Sequence, residues 1–163
     1  MIDPAVEQML RKDPKSYVIP AEVVANVTAT NTLEHALMVL SKVGYTRIPV
    51  LDADDHLQGL LPLAAITDQL LKVPGAAVEQ LSNYTVADAM RPVEHWVDDP
   101  ARLETILSYL VDEPFIPLID EQQVFQGIIT RREILKRVNY LAHNLDENYE
   151  VTPRVPVIGR DIK

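Results

Sequence analysis

Four consecutive residues, Thr130-Arg131-Arg132-Glu133, carry the chemistry best suited to hold a charged ligand. Thr130 and Glu133 have the spacing of a capping box. The sequence therefore predicts a helix start at which the Thr130 hydroxyl accepts from the Glu133 amide and the Glu133 carboxylate bonds back to the amide of Thr130. Arg131 and Arg132 then fall in the first helical turn, where the backbone dipole favours acids and penalises each cation by about 0.3–1 kcal/mol. In a chain of formal net charge −9, two adjacent arginines at the positive end of a helix are locally unfavourable. A bound phosphate would resolve the conflict, because free N–H groups at a helix start and guanidinium forks both seek an anion. Capping and anion binding are compatible roles for the same residues.

Catalytic patterns are absent from the sequence. It has no cysteine, which excludes disulfides and thiolate chemistry. His35, His56, His95 and His143 have no second histidine at i+3 or i+4, so no metal site is expected. Asp52-Ala53-Asp54-Asp55 starts like a calcium loop but lacks the following Gly and closing Glu, and is read as a solvated turn. There is no Ser-His-acid arrangement, and no glycine-rich phosphate loop among five glycines. The acidic balance, with pI near 4.8, argues against nucleic acid or an anionic membrane as a general partner, since both recruit through surplus Lys and Arg. The expectation is a cytoplasmic binding protein that is not an enzyme and carries no cofactor.

The elements that must position the arginines are set by an internal repeat. Thr32-Leu33-Glu34-His35-Ala36-Leu37, Ile48-Pro49-Val50-Leu51-Asp52 and Gln58-Gly59-Leu60-Leu61 return as Arg102-Leu103-Glu104-Thr105-Ile106-Leu107, Ile116-Pro117-Leu118-Ile119-Asp120 and Gln126-Gly127-Ile128-Ile129. The offset is 70 at the first block (33 to 103) and 68 at the others (49 to 117, 59 to 127). Three blocks in one order define a tandem architecture, and 163 residues with 47% hydrophobic content suffice for a shared core.

Each copy reads as β-α-β-β-α. In the first, Val23 to Val27 is a short strand; Asn31 caps a helix, with Glu34 three residues later, whose Leu33, Leu37 and Leu40 share a face and which Gly44 closes. Thr46 to Leu51 and Leu57 to Leu61 are strands, and Leu63 to Leu71 is a helix stopping before Pro74-Gly75. In the second, Trp96-Val97 is the short strand, and Asp99 caps a helix with Pro100 at its first position, burying Leu103, Ile106, Leu107 and Leu110. Phe115 to Ile119 and Val124 to Ile129 are strands, and a helix from Arg131 to about Leu145 precedes a loosely ordered tail. On that last helix, Tyr140, Leu141, Asn144 and Leu145 form either a partner face or a helix end folded onto its own core. The first copy has Pro62, Leu63, Ala64 and Ala65 where the second has Thr130 to Glu133, so one phosphate-binding end per chain is expected, with the pseudo-equivalent cleft empty or adapted for contacts.

This pattern resembles the CBS domain: a Val-rich strand, a capped helix, an Ile-Pro-Val-hydrophobic-Asp strand, and a Gly-hydrophobic-hydrophobic-Thr-x-x-acid run entering a helix. The resemblance covers roughly Tyr17 to Arg137. It implies an α/β fold in which two CBS repeats, residues 17–73 and 84–140, form one pseudo-two-fold module, flanked by an N-terminal segment 1–16 and a tail 146–163. Asn31 to Leu37, Gly44-Tyr45-Thr46 and Gln123 to Arg132 are further similar to the CBS proteins of low-GC Gram-positive bacteria that bind cyclic di-AMP. By that resemblance, backbone groups near Val23, Val24 and Ala25 hold the adenine edge. The loop Tyr45-Thr46-Arg47-Ile48-Pro49 lines the pocket, and Ile129, Thr130, Arg131, Arg132 and Glu133 complete it. Small Ala25 lets a base approach the backbone, Thr46 offers a hydroxyl, and Arg47 is a third cation. Strand packing is an equally good account of Val24, Ile48 and Pro49. Val23 departs from the pattern, since that group tends to carry a basic residue there.

The resemblance implies a homodimeric sensor that changes its grip on a regulated protein partner when cyclic di-AMP binds; a (p)ppGpp synthetase or a metabolic enzyme would fit that role. Two alternatives stay open at this level. One is a sensor of AMP, ADP or ATP in which Glu133 holds a ribose hydroxyl; the other is an interaction subunit with a vestigial pocket.

Overall fold

Residues 2, 4–10, 14–72, 75, 77–145, 150 and 152 are described by a computed structural model of the chain. The order is α1 (Pro4–Leu10), β1 (Val18–Pro20), α2 (Leu33–Val43), β2 (Arg47–Leu51), β3 (Leu57–Pro62), α3 (Leu63–Leu71), α4 (Leu103–Tyr109), β4 (Phe115–Ile119), β5 (Phe125–Thr130) and α5 (Arg131–His143). Short 3-10 turns cover Ala21–Val23, Val78–Asn83 and Val86–Asp88. The tail expected at 146–163 lies outside the described residues, apart from Glu150 and Thr152. No helix among the described residues is long and apolar enough to cross a membrane.

The repeat extends to individual hydrogen bonds. β2 and β3 pair antiparallel with Ile48 opposite Leu61 and Val50 opposite Gly59, and β4 and β5 pair with Ile116 opposite Ile129 and Leu118 opposite Gly127. Each ladder is interrupted at the same place, between Val50 and Leu51 and between Leu118 and Ile119. In the first hairpin turn, Asp52 Oδ1 accepts from the amides of Asp54 and His56, both at 2.9 Å, while Oδ2 accepts from Gln58 Nε2 at 3.1 Å. Asp120 repeats the set with the amides of Gln122 and Val124, both at 2.9 Å, and with Gln126 Nε2 at 3.0 Å. The Asp-x₅-Gln spacing is thus a turn device, and the amide of His56 holds the Asp52 carboxyl below its ordinary value. The donor atoms of Asp52, Asp54 and His56 lie within 4.8 Å of one another as a consequence of this turn. The two turn tips meet, with Phe125 N donating to Asp55 O at 2.9 Å.

The expected strands at Val23 to Val27 and Trp96-Val97 are not strands. Ala21–Val23 is a 3-10 turn, and only Val27 and Val97 make single parallel bridges, to Val50 and Leu118. The reason lies in the neighbouring Ile-Pro motifs. Val27 N donates to Pro49 O and Leu51 N to Val27 O; continuing the ladder would require an N–H from Pro49, which has none. Val97 N to Pro117 O and Ile119 N to Val97 O repeat the arrangement, and Pro117 ends it in the same way.

Two helix starts also differ from expectation. Asn31 turns back to accept from Thr28 N at 2.9 Å, leaving Thr32 as the N-cap of α2, its hydroxyl accepting from His35 N at 3.1 Å. Gly44 closes α2 in the left-handed conformation, φ 71°. Asp99 does not cap α4: its side chain accepts from Ala101 N at 2.8 Å in a preceding turn, and α4 begins at Leu103. The Pro100 carbonyl accepts from the Tyr17 hydroxyl, which ties that turn to the N-terminal segment.

The core has three parts. Leu33, Ala36, Leu40, Ile48, Leu61, Ile66, Leu81 and Val86 build the first-copy core. Tyr17, Val97, Leu103, Ile106, Ile116, Ile129 and Ile134 build the second. Between them Val24, Leu51, Leu60, Phe115, Phe125 and Ile128 form a cluster drawn from both copies. β1 completes the crossing: although it opens the first copy, it pairs antiparallel with β5 of the second, giving the order β1-β5-β4.

Candidate functional site

Between the copies lies a cavity of about 750 Å³. The first copy contributes Thr46, Arg47 and the start of α3 at Pro62, Leu63 and Ala64; the second copy contributes Arg91, Glu94 and His95 from the segment before its first helix, and Asp112, Glu113, Pro114, Phe115 and Arg131. A second, more open groove of about 560 Å³ runs along α5, lined by Pro114, Arg131, Arg132, Leu135, Lys136 and Asn139. The two spaces share Pro114 and Arg131. The larger cavity therefore opens against the Pro62-Leu63-Ala64 helix start, the end whose sequence has lost the phosphate chemistry. Of the Thr130 to Glu133 motif, Arg131 alone lines it.

The two arginines of the motif have separate fates. Arg131 does not stand free in the dipole field of its own helix. Its Nε donates to Leu110 O at 2.7 Å and its Nη2 to Val111 O at 3.1 Å and Glu113 O at 3.0 Å, while its amide donates to Pro114 O at 3.0 Å. These carbonyls follow the C-terminus of α4, the negative end of that helix, where a cation is favoured. Arg131 is thus satisfied by the protein itself, and the expected conflict applies to Arg132. That residue is exposed in the first turn of α5 and, among the described residues, makes no hydrogen bond or ion pair.

The capping box is half formed. Thr130 Oγ1 accepts from Glu133 N at 3.2 Å, but the Glu133 carboxylate, instead of reaching back, accepts from Lys136 Nζ at 2.6 Å. A lysine one turn ahead outcompetes the Thr130 amide because it brings a full charge. Glu133 is therefore already paired where the mononucleotide reading would have it meet a ribose.

The remaining expected residues divide between cavity and core. Thr46 is exposed at the cavity mouth and its carbonyl accepts from Leu63 N at 2.9 Å, tying the loop to α3. Arg47 is ion-paired across the cavity with Glu113. Ile48 and Ile129 are fully buried core residues, and Pro49 is a buried strand residue whose carbonyl serves Val27. Val24 is buried in the cluster between copies, and Asn26 Nδ2 donates to its carbonyl at 3.3 Å. Ala25 and Tyr45 pack against the first-copy core. Val23 is 66% exposed, on the turn that packs against β5. On α5, Leu141 folds onto the second-copy core while Tyr140 points outward at 67% exposure.

Glu113, His95 and Arg91 line the cavity without having been singled out by sequence motifs. The repeat itself would have found them: Glu113 corresponds to Tyr45 at the offset of 68, and Arg91 to His95 corresponds to Ala21 to Ala25 at the offset of 70.

Comparison with known proteins agrees with this architecture. A family model described as the CBS domain matches residues 5–72. Cyclic di-AMP receptor B of Bacillus subtilis is 35% identical over 150 residues, spanning 90% of this chain and all of the relative. The crystal structure of CbpB from Streptococcus agalactiae superposes with a TM-score of 0.81 at 30% identity, covering 94% of this chain and 96% of the other. CbpB of Listeria monocytogenes, crystallised in complex with c-di-AMP, gives 0.73 at 42% identity, covering 80% and 98%. The chain belongs to the CBS-domain family, with the cyclic di-AMP receptor of B. subtilis among its relatives.

Proposed function

We propose that this protein is a cytoplasmic receptor for cyclic di-AMP, holding the nucleotide between its two CBS repeats and signalling its presence to a protein partner. One observation carries the reading: in a chain of net charge −9, Arg132 sits in the first turn of α5 without a partner among the described residues, beside a groove that adjoins the cavity between the copies. A phosphate would meet the Arg132 guanidinium at the positive end of a helix, where the dipole favours an anion. The cavity of about 750 Å³ falls within the range of small-molecule sites. The relatives named for cyclic di-AMP support this choice of ligand, and the two repeats are taken as residues 17–73 and 84–140. The likeness to a receptor protein supports a role of binding without turnover. We further propose a homodimer in which ligand occupancy alters contact with the regulated partner.

Calorimetry of the nucleotide-free protein against cyclic di-AMP, cyclic di-GMP, AMP and ATP tests the proposal. Saturable binding of cyclic di-AMP at one site per chain, with recovery of intact ligand, is expected. Preference for AMP or ATP would make the protein an energy sensor, and no binding of any nucleotide would leave an interaction subunit with a vestigial pocket.

A further inference from the structure

Glu113 stands where it can oppose ligand binding. Its carboxylate Oε2 is ion-paired with the Arg47 guanidinium, and both side chains are largely withdrawn from water, at 16% and 33% exposure. Arg47 belongs to β2 of the first copy, while Glu113 belongs to the loop entering β4 of the second, so the pair bridges the cavity that both residues line. Arg47, a cation otherwise available to a phosphate, is thereby neutralised within the protein. The other carboxylate oxygen, Oε1, lies 3.5 Å from His95 Nδ1, a buried nitrogen with no hydrogen-bond partner among the described residues. In its Nδ1–H tautomer, His95 offers the carboxylate a second seat within a small rotation of the first. His95 is itself held against the Tyr109 ring, 4.4 Å between centroids, so that seat is fixed in place.

We propose that Glu113 is an internal competitor for the ligand phosphate: it occupies Arg47 in the ligand-free protein and moves toward His95 when a nucleotide phosphate takes its place. This rests on the reading of the cleft as a cyclic di-AMP site and adds a residue that sets its affinity. The carbonyl of Glu113 also accepts from Arg131 at 3.0 Å. The exchange is therefore coupled to the loop joining α4 to β4, which gives ligand occupancy a route to the surface of the second copy.

The test is calorimetry with cyclic di-AMP on wild type, Glu113→Gln, Arg47→Met and the double variant. Gln keeps the size of Glu and removes its charge, so Glu113→Gln should bind about 3- to 30-fold tighter than wild type. Arg47→Met should weaken binding more in the Glu113→Gln background than in the wild-type background, a coupling that a merely structural salt bridge would not produce. Equal or weaker binding by a folded Glu113→Gln protein, with wild type binding normally, overturns the proposal and leaves the receptor reading intact. Failure of wild type itself to bind overturns the receptor reading instead. Should Glu113→Gln not fold, Glu113→Ser, which removes the carboxylate from reach of Arg47, carries the same expectation of tighter binding and the same refutation.

Discussion

Arg131 and Arg132 are adjacent in the chain but about 100° apart around α5, and that rotation gives them different physics. Arg131 turns onto the carbonyls beyond α4 and closes the second copy, whereas Arg132 faces solvent with its charge unspent. Arg132→Met is therefore expected to weaken cyclic di-AMP binding by roughly 10- to 150-fold, one charge-assisted hydrogen bond. It should leave the ligand-free melting temperature unchanged or slightly higher, because a cation is removed from the positive end of a helix. Arg131→Met is expected to behave otherwise: three carbonyls lose their donor, costing about 1–2 kcal/mol for partly exposed bonds. In a domain of this size that lowers the melting temperature by roughly 2–8 °C. Paired melting curves and titrations of the two variants separate the roles. Lys42→Met, at the exposed end of α2, serves as the control. Arg137 would not, because its guanidinium lies 5.8 Å from the centroid of the Tyr17 ring.

At the scale of elements, the decisive feature is how closely neighbouring segments cross the sheets at Gly59 and Gly127. A Cβ on Gly127 would lie 2.2 Å from Ile19 O in β1, and one on Gly59 would lie 2.8 Å from Arg91 O in the opening segment of the second copy. Gly127 also has φ 148°, a conformation that side chains rarely adopt. The glycine of each Gln-Gly-hydrophobic-hydrophobic block is thus the point at which the opening segment of the other copy is laid across the hairpin. Gly127→Ala should displace β1 from β5 and cost at least about 2 kcal/mol through strain and overpacking. The check is thermal unfolding, supported by hydrogen exchange at Val18 and Ile19: protection there should fall while α2 keeps its own. Unchanged protection at β1 would mean that the crossing tolerates a methyl group and is not held as described.

Over the whole molecule, the repeat makes two unequal clefts from one plan. The hairpins share register, interruption and turn hydrogen bonds, while the helix starts differ: Pro62-Leu63-Ala64 in one and Thr130-Arg131-Arg132 in the other. A ligand lodged between copies and bound only by the native state stabilises both through the shared cluster of Val24, Leu60, Phe115 and Phe125. At about 100 times its Kd, cyclic di-AMP should add roughly 2.7 kcal/mol, raising the melting temperature by about 5–10 °C. The transition should remain single. A biphasic melt in which only one copy gains stability would place the ligand on one repeat instead of between the two.

The sequence by itself determined the tandem plan, four of the strands, and the helices α2, α3 and α5, because these depend on local patterns: alternation and periodicity of apolar residues, a left-handed glycine at the end of α2, a threonine at the start of α5. It also identified Arg132 as an unbalanced cation, since dipole and charge act within one turn. Tertiary structure decided what depends on distant partners. Val23 to Val27 and Trp96-Val97 read as strands from their composition, yet each neighbours a proline that withholds the next N–H. Arg131 reads like Arg132 until the carbonyls beyond α4 are brought under its guanidinium. Glu113, His95 and Arg47 lie far apart in the chain, and only the pairing of the copies makes them one charged cluster. Val18 to Pro20 open the first repeat but join the sheet of the second, because β5 offers an open edge there and Gly127 leaves room for the crossing.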